Sequence, residues 1–194
     1  MDQGHTRAAT LVPFRENLMT SLTTTLGRPA SGEYAPYYDR YISLIASDDV
    51  IAMLEQHAPE TIALFQSAGA RTDHRYAPGK WSVKELLGHV NDTERIMAYR
   101  ALRIARGDKT PIEGYEQDDY VRDGNFGQRT LADLIDEFMD IRKATLALFR
   151  SLDAESATRR GTANKCEISV RALAYVIAGH ELHHRRILQE KYLK

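Results

Sequence analysis

The sequence predicts an all-α protein, a four-helix bundle of the up-and-down type with an N-terminal arm and a long loop between helices 2 and 3. Three observations carry this. Four stretches repeat apolar residues at helical spacing, each giving one buried face. Strand signals are few. One connection, 108–129, is long enough to act as the crossover of a bundle. With 194 residues the chain suffices for one domain with a sizeable core. The expected division is an arm or short helix over 1–40 and the bundle over 41–194.

Within the arm, Leu11, Phe14, Leu18 and Leu22 have loose helical spacing in a threonine-rich stretch, broken by Gly27-Arg28-Pro29 and Ser31-Gly32. Tyr34, Tyr37, Tyr38 and Tyr41 follow. Packing of the arm onto the core is favoured for them over an aromatic ligand shelf. The first core helix is expected from Ser47 as N-cap, with Asp48 and Asp49 at its positive end. Val50, Ile51 and Leu54 face inward; Pro59 should kink or restart the helix before Ile62, Leu64 and Phe65 carry it on to Gly69.

The second helix has the clearest start. Ser82-Val83-Lys84-Glu85 reads as a capping box, and Trp81 and Leu86 are placed for a hydrophobic staple. Its apolar face runs through Val83, Leu86, Leu87, Val90, Ile96 and Met97, and Gly107 ends it. His89 lies at one margin of that face. Residues 108–129 hold Pro111, Gly114, Gly124 and Gly127 and contain no convincing helix, but Tyr115 and Tyr120 offer anchors for an ordered cover. The acids there, Asp118, Asp119 and Asp123, match no EF-hand spacing and read as a solvated face. Thr130-Leu131-Ala132-Asp133 opens the third helix, whose face is Leu131, Leu134, Ile135, Phe138, Ile141, Thr145, Leu148 and Leu152. A polar loop, Asp153 to Lys165, leads to a fourth helix beginning near Ser169.

Composition excludes several classes. Lys and Arg total 26 against 27 Asp and Glu, mixed along the chain, so no basic patch points to nucleic acid. No apolar run reaches membrane-spanning length, and Met1-Asp2-Gln3-Gly4-His5 does not start a signal peptide. A single cysteine, Cys166, excludes an intramolecular disulfide and fits a reducing cytoplasm, the expected location.

The chemistry concentrates in the fourth helix. Three of the seven histidines fall within His180-Glu181-Leu182-His183-His184. His180 and His184 are four apart, share the apolar face and are neighbours on a helix. Two unpaired buried imidazoles would cost a few kcal/mol, and a shared cation relieves that. His183 is taken as flanking. In an up-and-down bundle the second and fourth helices run parallel and can face each other diagonally, which brings His89 to the pair within about 6 Å of register. Three neutral imidazoles leave a position open on Zn²⁺ or Ni²⁺, the pattern of a catalytic site. Asp92, three residues beyond His89, either orients a ligand or takes a proton, or else pairs with Arg95; both readings stand. Glu181 points about 100° away from His180 and is expected at the surface. For Cys166 packing is favoured over a nucleophilic role.

Trp81-Ser82, Glu85, Gly88-His89, Asp92 and Glu94, then Tyr99-Arg100-Ala101, then Gly179-His180 with His184, resemble the DinB/YfiT-like metalloenzyme superfamily over roughly residues 40–194. The resemblance implies a four-helix bundle in which His89, His180 and His184 bind a divalent metal, often nickel or zinc. It implies thiol S-transferase-like or hydrolase-like activity on a small molecule, with a low-molecular-weight thiol as partner in some relatives. It also implies a homodimer, since relatives often pair. The alternative is a metal-stabilised binding or stress-response module without turnover. A zinc protease is the rival read from His180-Glu181-x-x-His184, with Glu181 as base. It is disfavoured because Ile187 and Glu190 stand where the extended motif needs Gly and His, and no sheet edge is expected to hold a peptide.

Overall fold

The computed structural model describes residues 26–194, so the stretch from Leu11 to Leu22 lies outside the described residues. The helices are α1 (Asp39–Ile42), α2 (Val50–Gln66), α3 (Val83–Ala105), α4 (Gln117–Asp123), α5 (Leu131–Arg150), α6 (Ala154–Thr158) and α7 (Val170–Ile187). Two strands, β1 (Arg160–Ala163) and β2 (Cys166–Ser169), pair antiparallel. The fold is the expected all-α four-helix bundle, built from α2, α3, α5 and α7.

The helix starts follow local chemistry. Ser82 and Glu85 form the capping box before α3: Glu85 N–H donates to Ser82 Oγ at 3.2 Å, and Ser82 N–H to Glu85 Oε2 at 2.7 Å. Thr130 and Ser169 cap α5 and α7 by accepting from Asp133 and Ala172 N–H. The start of α2 is set by Asp49, which accepts from Ala52 N–H, rather than by Ser47, whose hydroxyl instead accepts from Asp49 N–H. Helix α2 continues through Pro59 without interruption.

Two connections carry more structure than expected. Residues 108–129 include α4 and a 3₁₀ turn at Phe126–Gln128. Val121 and Phe126 are buried against Val83, Leu86 and Leu87, anchors too few to show a periodicity. The polar stretch 153–165 holds α6, capped by Asp153, and β1. Asn164 and Lys165 have φ of 50° and 63°, the left-handed pair that a two-residue type I′ hairpin demands. Cys166 therefore lies on a strand, half-buried and free, three residues before the α7 N-cap Ser169.

Helix direction departs from simple up-and-down order. One end of the core gathers Phe65, Val83, Leu87, Leu134, Phe138 and Leu188; the other gathers Val50, Leu54, Ala101, Ile104, Phe149 and Leu173. The start of α3 thus meets the start of α5 and the end of α7. Helices α3 and α5 run parallel, joined by the long crossover, while α3 and α7 are antiparallel. Helix α3 packs directly beside α7 and α5, and α2 packs against the same two. The expectation that the second and fourth helices lie parallel and diagonal is corrected to adjacent and antiparallel. The physical reason is the crossover: 108–129 returns along the bundle, so two successive helices point the same way.

The segment before α2 belongs to the same core. Leu26, Tyr38, Ile42 and Ile45 are buried with α7 residues. Glu33 accepts hydrogen bonds from Arg171 and from Ser169 Oγ, the latter at 2.7 Å. Burial opposes ionisation of Glu33, but those bonds outweigh it and lower its pKa to about 2.

Candidate metal centre

His89 sits six residues beyond the first residue of α3, and His180 seven before the last of α7. In antiparallel neighbours these positions come level. His89 Nε2 is 3.0 Å from His180 Nε2, and His184 Nε2 is 3.1 Å from the same atom. The three donor atoms all lie within 4.8 Å of one another, and the residues are only 2, 6 and 7% exposed for His89, His180 and His184. A ring nitrogen carries either one proton or one lone pair, so His180 Nε2 serves one hydrogen bond and not two. A cation would account for both approaches: ligands at about 2.0–2.1 Å and right-angle to tetrahedral angles stand roughly 2.9–3.4 Å apart. The imidazoles fit such an ion chemically as well. Burial, with a smaller contribution from His183, pushes His89 down to about 4. Burial, then neighbouring imidazoles, holds His180 and His184 well below the usual histidine range. All three are neutral at pH 7, the form that binds metal.

His89 and His180 each follow a glycine, and each glycine makes room for an aromatic segment. A Cβ on Gly179 would stand 2.1 Å from the Tyr41 carbonyl oxygen, and one on Gly88 2.4 Å from the Phe126 ring. The close passage at Gly179 sets the Tyr41 ring edge-on to His180, with centroids 5.4 Å apart. Trp81 lies against His89 at 4.6 Å and reaches His184 at 6.4 Å. His183 stays outside the trio, half-buried against Tyr41.

Two cavities open onto the trio. One, of about 370 Å³, has His180 in its wall with Tyr41, Thr93, Arg100 and Tyr115. The other, of about 270 Å³, has His184 in its wall with Trp81, Tyr76 and Tyr192. Gln117 and Asp118, at the start of α4, line both. The ordered cover expected from 108–129 is present, and it stands over the histidines. Tyr115 in this cover shares a 2.8 Å hydrogen bond with Thr93 on α3.

Asp92 is turned toward α5. It lies 3.6 Å from Arg95, which also meets Glu137 at 2.5 Å, and it lines neither of these two cavities. Burial raises its pKa against the pull of Arg95. The surface role expected of Glu181 is corrected: it is 2% exposed, accepts from Arg142 at 2.7 Å and from the Thr61 hydroxyl, and so is committed to structure. That pairing also removes the general base that the protease reading required. Tyr38 and Tyr41 pack against the core, as favoured for them, and also line the larger cavity, whereas Tyr37 lines that cavity while 56% exposed. Sequence reasoning quoted Arg100 and Trp81 for the family resemblance but gave Arg100 no place at the site and Trp81 a stapling contact alone. The signal for Arg100 was its spacing: eleven residues beyond His89 is three helical turns, within about 20° of the same face, whereas Asp92 falls about 60° to one side.

An antiparallel helix seam that buries three converging imidazoles beneath a covered cavity defines a helical-bundle protein with a three-histidine centre. Residues 53–188 match the family model of the DinB superfamily, and the chain belongs to that superfamily. Among solved structures it is similar to YfiT from Bacillus subtilis, described as a probable metal-dependent hydrolase with an unusual four-helix bundle topology. The two are 17% identical with a TM-score of 0.64 over 75% of this chain and 87% of that one, a likeness of fold. No curated protein matches the chain. Among the described residues no helix is long and apolar enough to cross a membrane.

Proposed function

We propose that this protein is a metal-dependent enzyme for a small molecule, in which His89, His180 and His184 hold one divalent transition metal, zinc or nickel. The observation that carries this reading is the crowding of His180 Nε2 by two other Nε2 atoms at 3.0 and 3.1 Å, which hydrogen bonding alone leaves unsatisfied. Held by these three histidines, such an ion would supply the acidity that makes water or a low-molecular-weight thiol nucleophilic near neutral pH.

The protein's own groups supply the rest. Burial keeps the three imidazoles neutral and available. Trp81 and Tyr41 fix the rings of His89 and His180 from opposite elements. Tyr115 and Thr93 present a hydroxyl pair in the cavity that His180 lines, placed to orient a polar substrate group. Gln117 and Asp118 cover the site and limit water.

The test is metal content with activity. Purified wild-type protein is expected to hold about one equivalent of zinc or nickel by elemental analysis, and His180→Ala to lose tight binding. Full stoichiometry in His180→Ala refutes the ligand set. The loaded protein is then assayed against ester and amide panels, and against electrophiles with and without thiols. Metal bound at full occupancy with no turnover on any panel would leave a metal-stabilised binding module instead.

A further inference from the structure

Beside the histidines lies a charge that nothing in the reading above uses. Arg100 is 2% exposed and lines the larger cavity together with His180. Among the described residues it has no carboxylate partner. Nη2 donates to the Glu113 carbonyl at 2.9 Å, Nη1 meets the Met97 sulfur at 3.6 Å, a weak acceptor, and the neutral Tyr38 hydroxyl lies within reach of the guanidinium. Its Nε is buried with no acceptor at all. The contrast with Arg142, the other fully buried arginine, is direct: that one is closed by two carboxylates and a carbonyl. A guanidinium kept from water without a counter-charge is costly, and the cavity is where an anion can reach it.

We infer that Arg100 is the anchor for an anionic head group of the substrate, specifically a carboxylate. This rests on the proposed metal-site reading only in calling the ligand a substrate. A monoanion suits the charge balance. One guanidinium faces the cavity, and the charged groups lining it otherwise are Glu116 and Asp118, exposed at its mouth. Those two acids would penalise a phosphate dianion more than a carboxylate. The body of the ligand meets Tyr38, Tyr41 and Tyr115, walls suited to a ring or short apolar chain. The substrate class is therefore a small carboxylic acid, held by its carboxylate on Arg100 with its body extending toward His180.

The test uses benzoate, its neutral isostere benzamide, and phenylphosphonate, titrated calorimetrically into metal-loaded protein and into protein stripped by chelator. Benzoate is expected to bind at least about tenfold more tightly than benzamide in both states, the scale of a charge-assisted hydrogen bond. Arg100→Gln should erase that preference and Arg100→Lys retain part of it. Equal binding of benzoate and benzamide, binding of neither, or an unchanged preference in Arg100→Gln overturns the inference. So does a preference that vanishes when the metal is stripped, which would put the anion on the metal, and so does tighter binding of phenylphosphonate. The wild-type comparison does not depend on any variant folding. If the preference persists in wild-type protein that holds no metal under any condition, the anion site stands and the metal reading alone fails.

Discussion

Arg142 occupies the middle of the bundle and ties three of its helices to one guanidinium. Its Nε and Nη2 donate to Glu94 on α3 at 2.9 and 2.8 Å, Nη2 donates to Glu181 on α7 at 2.7 Å, and Nη1 to the Leu54 carbonyl on α2 at 2.7 Å. Burial works against its charge, but the two carboxylates outweigh that and hold its pKa above the ordinary arginine value. Replacing it with methionine fills a similar volume but leaves Glu94 and Glu181 buried without their cation. Arg142→Met is expected to cost about 3–5 kcal/mol in chemical denaturation, the scale for one partner lost from a buried ion cluster. A loss under about 1 kcal/mol would mean that the acids find water or a proton cheaply. The same cluster explains why Glu181 was misread. Helical periodicity gives the angle between Glu181 and His180 correctly, but an angle does not say what stands on that side. Helix α7 is covered by α1, α2 and α3, so most of its circumference is interior.

At the scale of elements, what was legible followed from local chemistry. The capping box at Ser82, the caps at Thr130 and Ser169, and the apolar stripes of α3 and α5 are short-range features, and the structure keeps each of them. The hairpin β1–β2 and helix α4 were not legible, because each is too short for a period and is held by contacts made elsewhere, such as Ile112 N–H to the Thr162 carbonyl at 2.9 Å. Gly179 shows the same limit. In sequence it is a helix-weakening residue beside His180; in space it is where the Tyr41 backbone crosses α7. Gly179→Ala should gain up to about 1 kcal/mol of helix propensity. Against that, the new methyl meets a backbone carbonyl that cannot rotate aside, and overpacking of this kind costs about 1–3 kcal/mol. The thermal midpoint is therefore expected to fall, with the Tyr41 ring moved off His180. A midpoint equal to or above wild type would show that the α1 segment yields freely.

For the whole molecule, the consequential feature is which helices the histidines join. The trio was readable as residues, from the four-residue spacing in α7 and a third histidine on an inward margin of α3. Its geometry was not, because the direction of α3 relative to α7 depends on the course of the crossover over 108–129. The antiparallel arrangement places one histidine near the start of α3 and two toward the end of α7, so an ion there would clasp two helices that are 91 residues apart between His89 and His180. Metal binding would then become folding free energy, since the unfolded chain holds these histidines far apart. At free metal about 100 times Kd the gain is about 2.7 kcal/mol, which for a domain of this size raises the thermal midpoint by roughly 5–10 °C. Zinc or nickel added to chelator-stripped protein should produce that shift, and it should be absent from His89→Ala and from His184→Ala, which remove a ligand from opposite sides of the seam. If the wild-type midpoint is indifferent to both metals and to chelator, the three nitrogens are packed without an ion and the seam is held by its apolar residues alone.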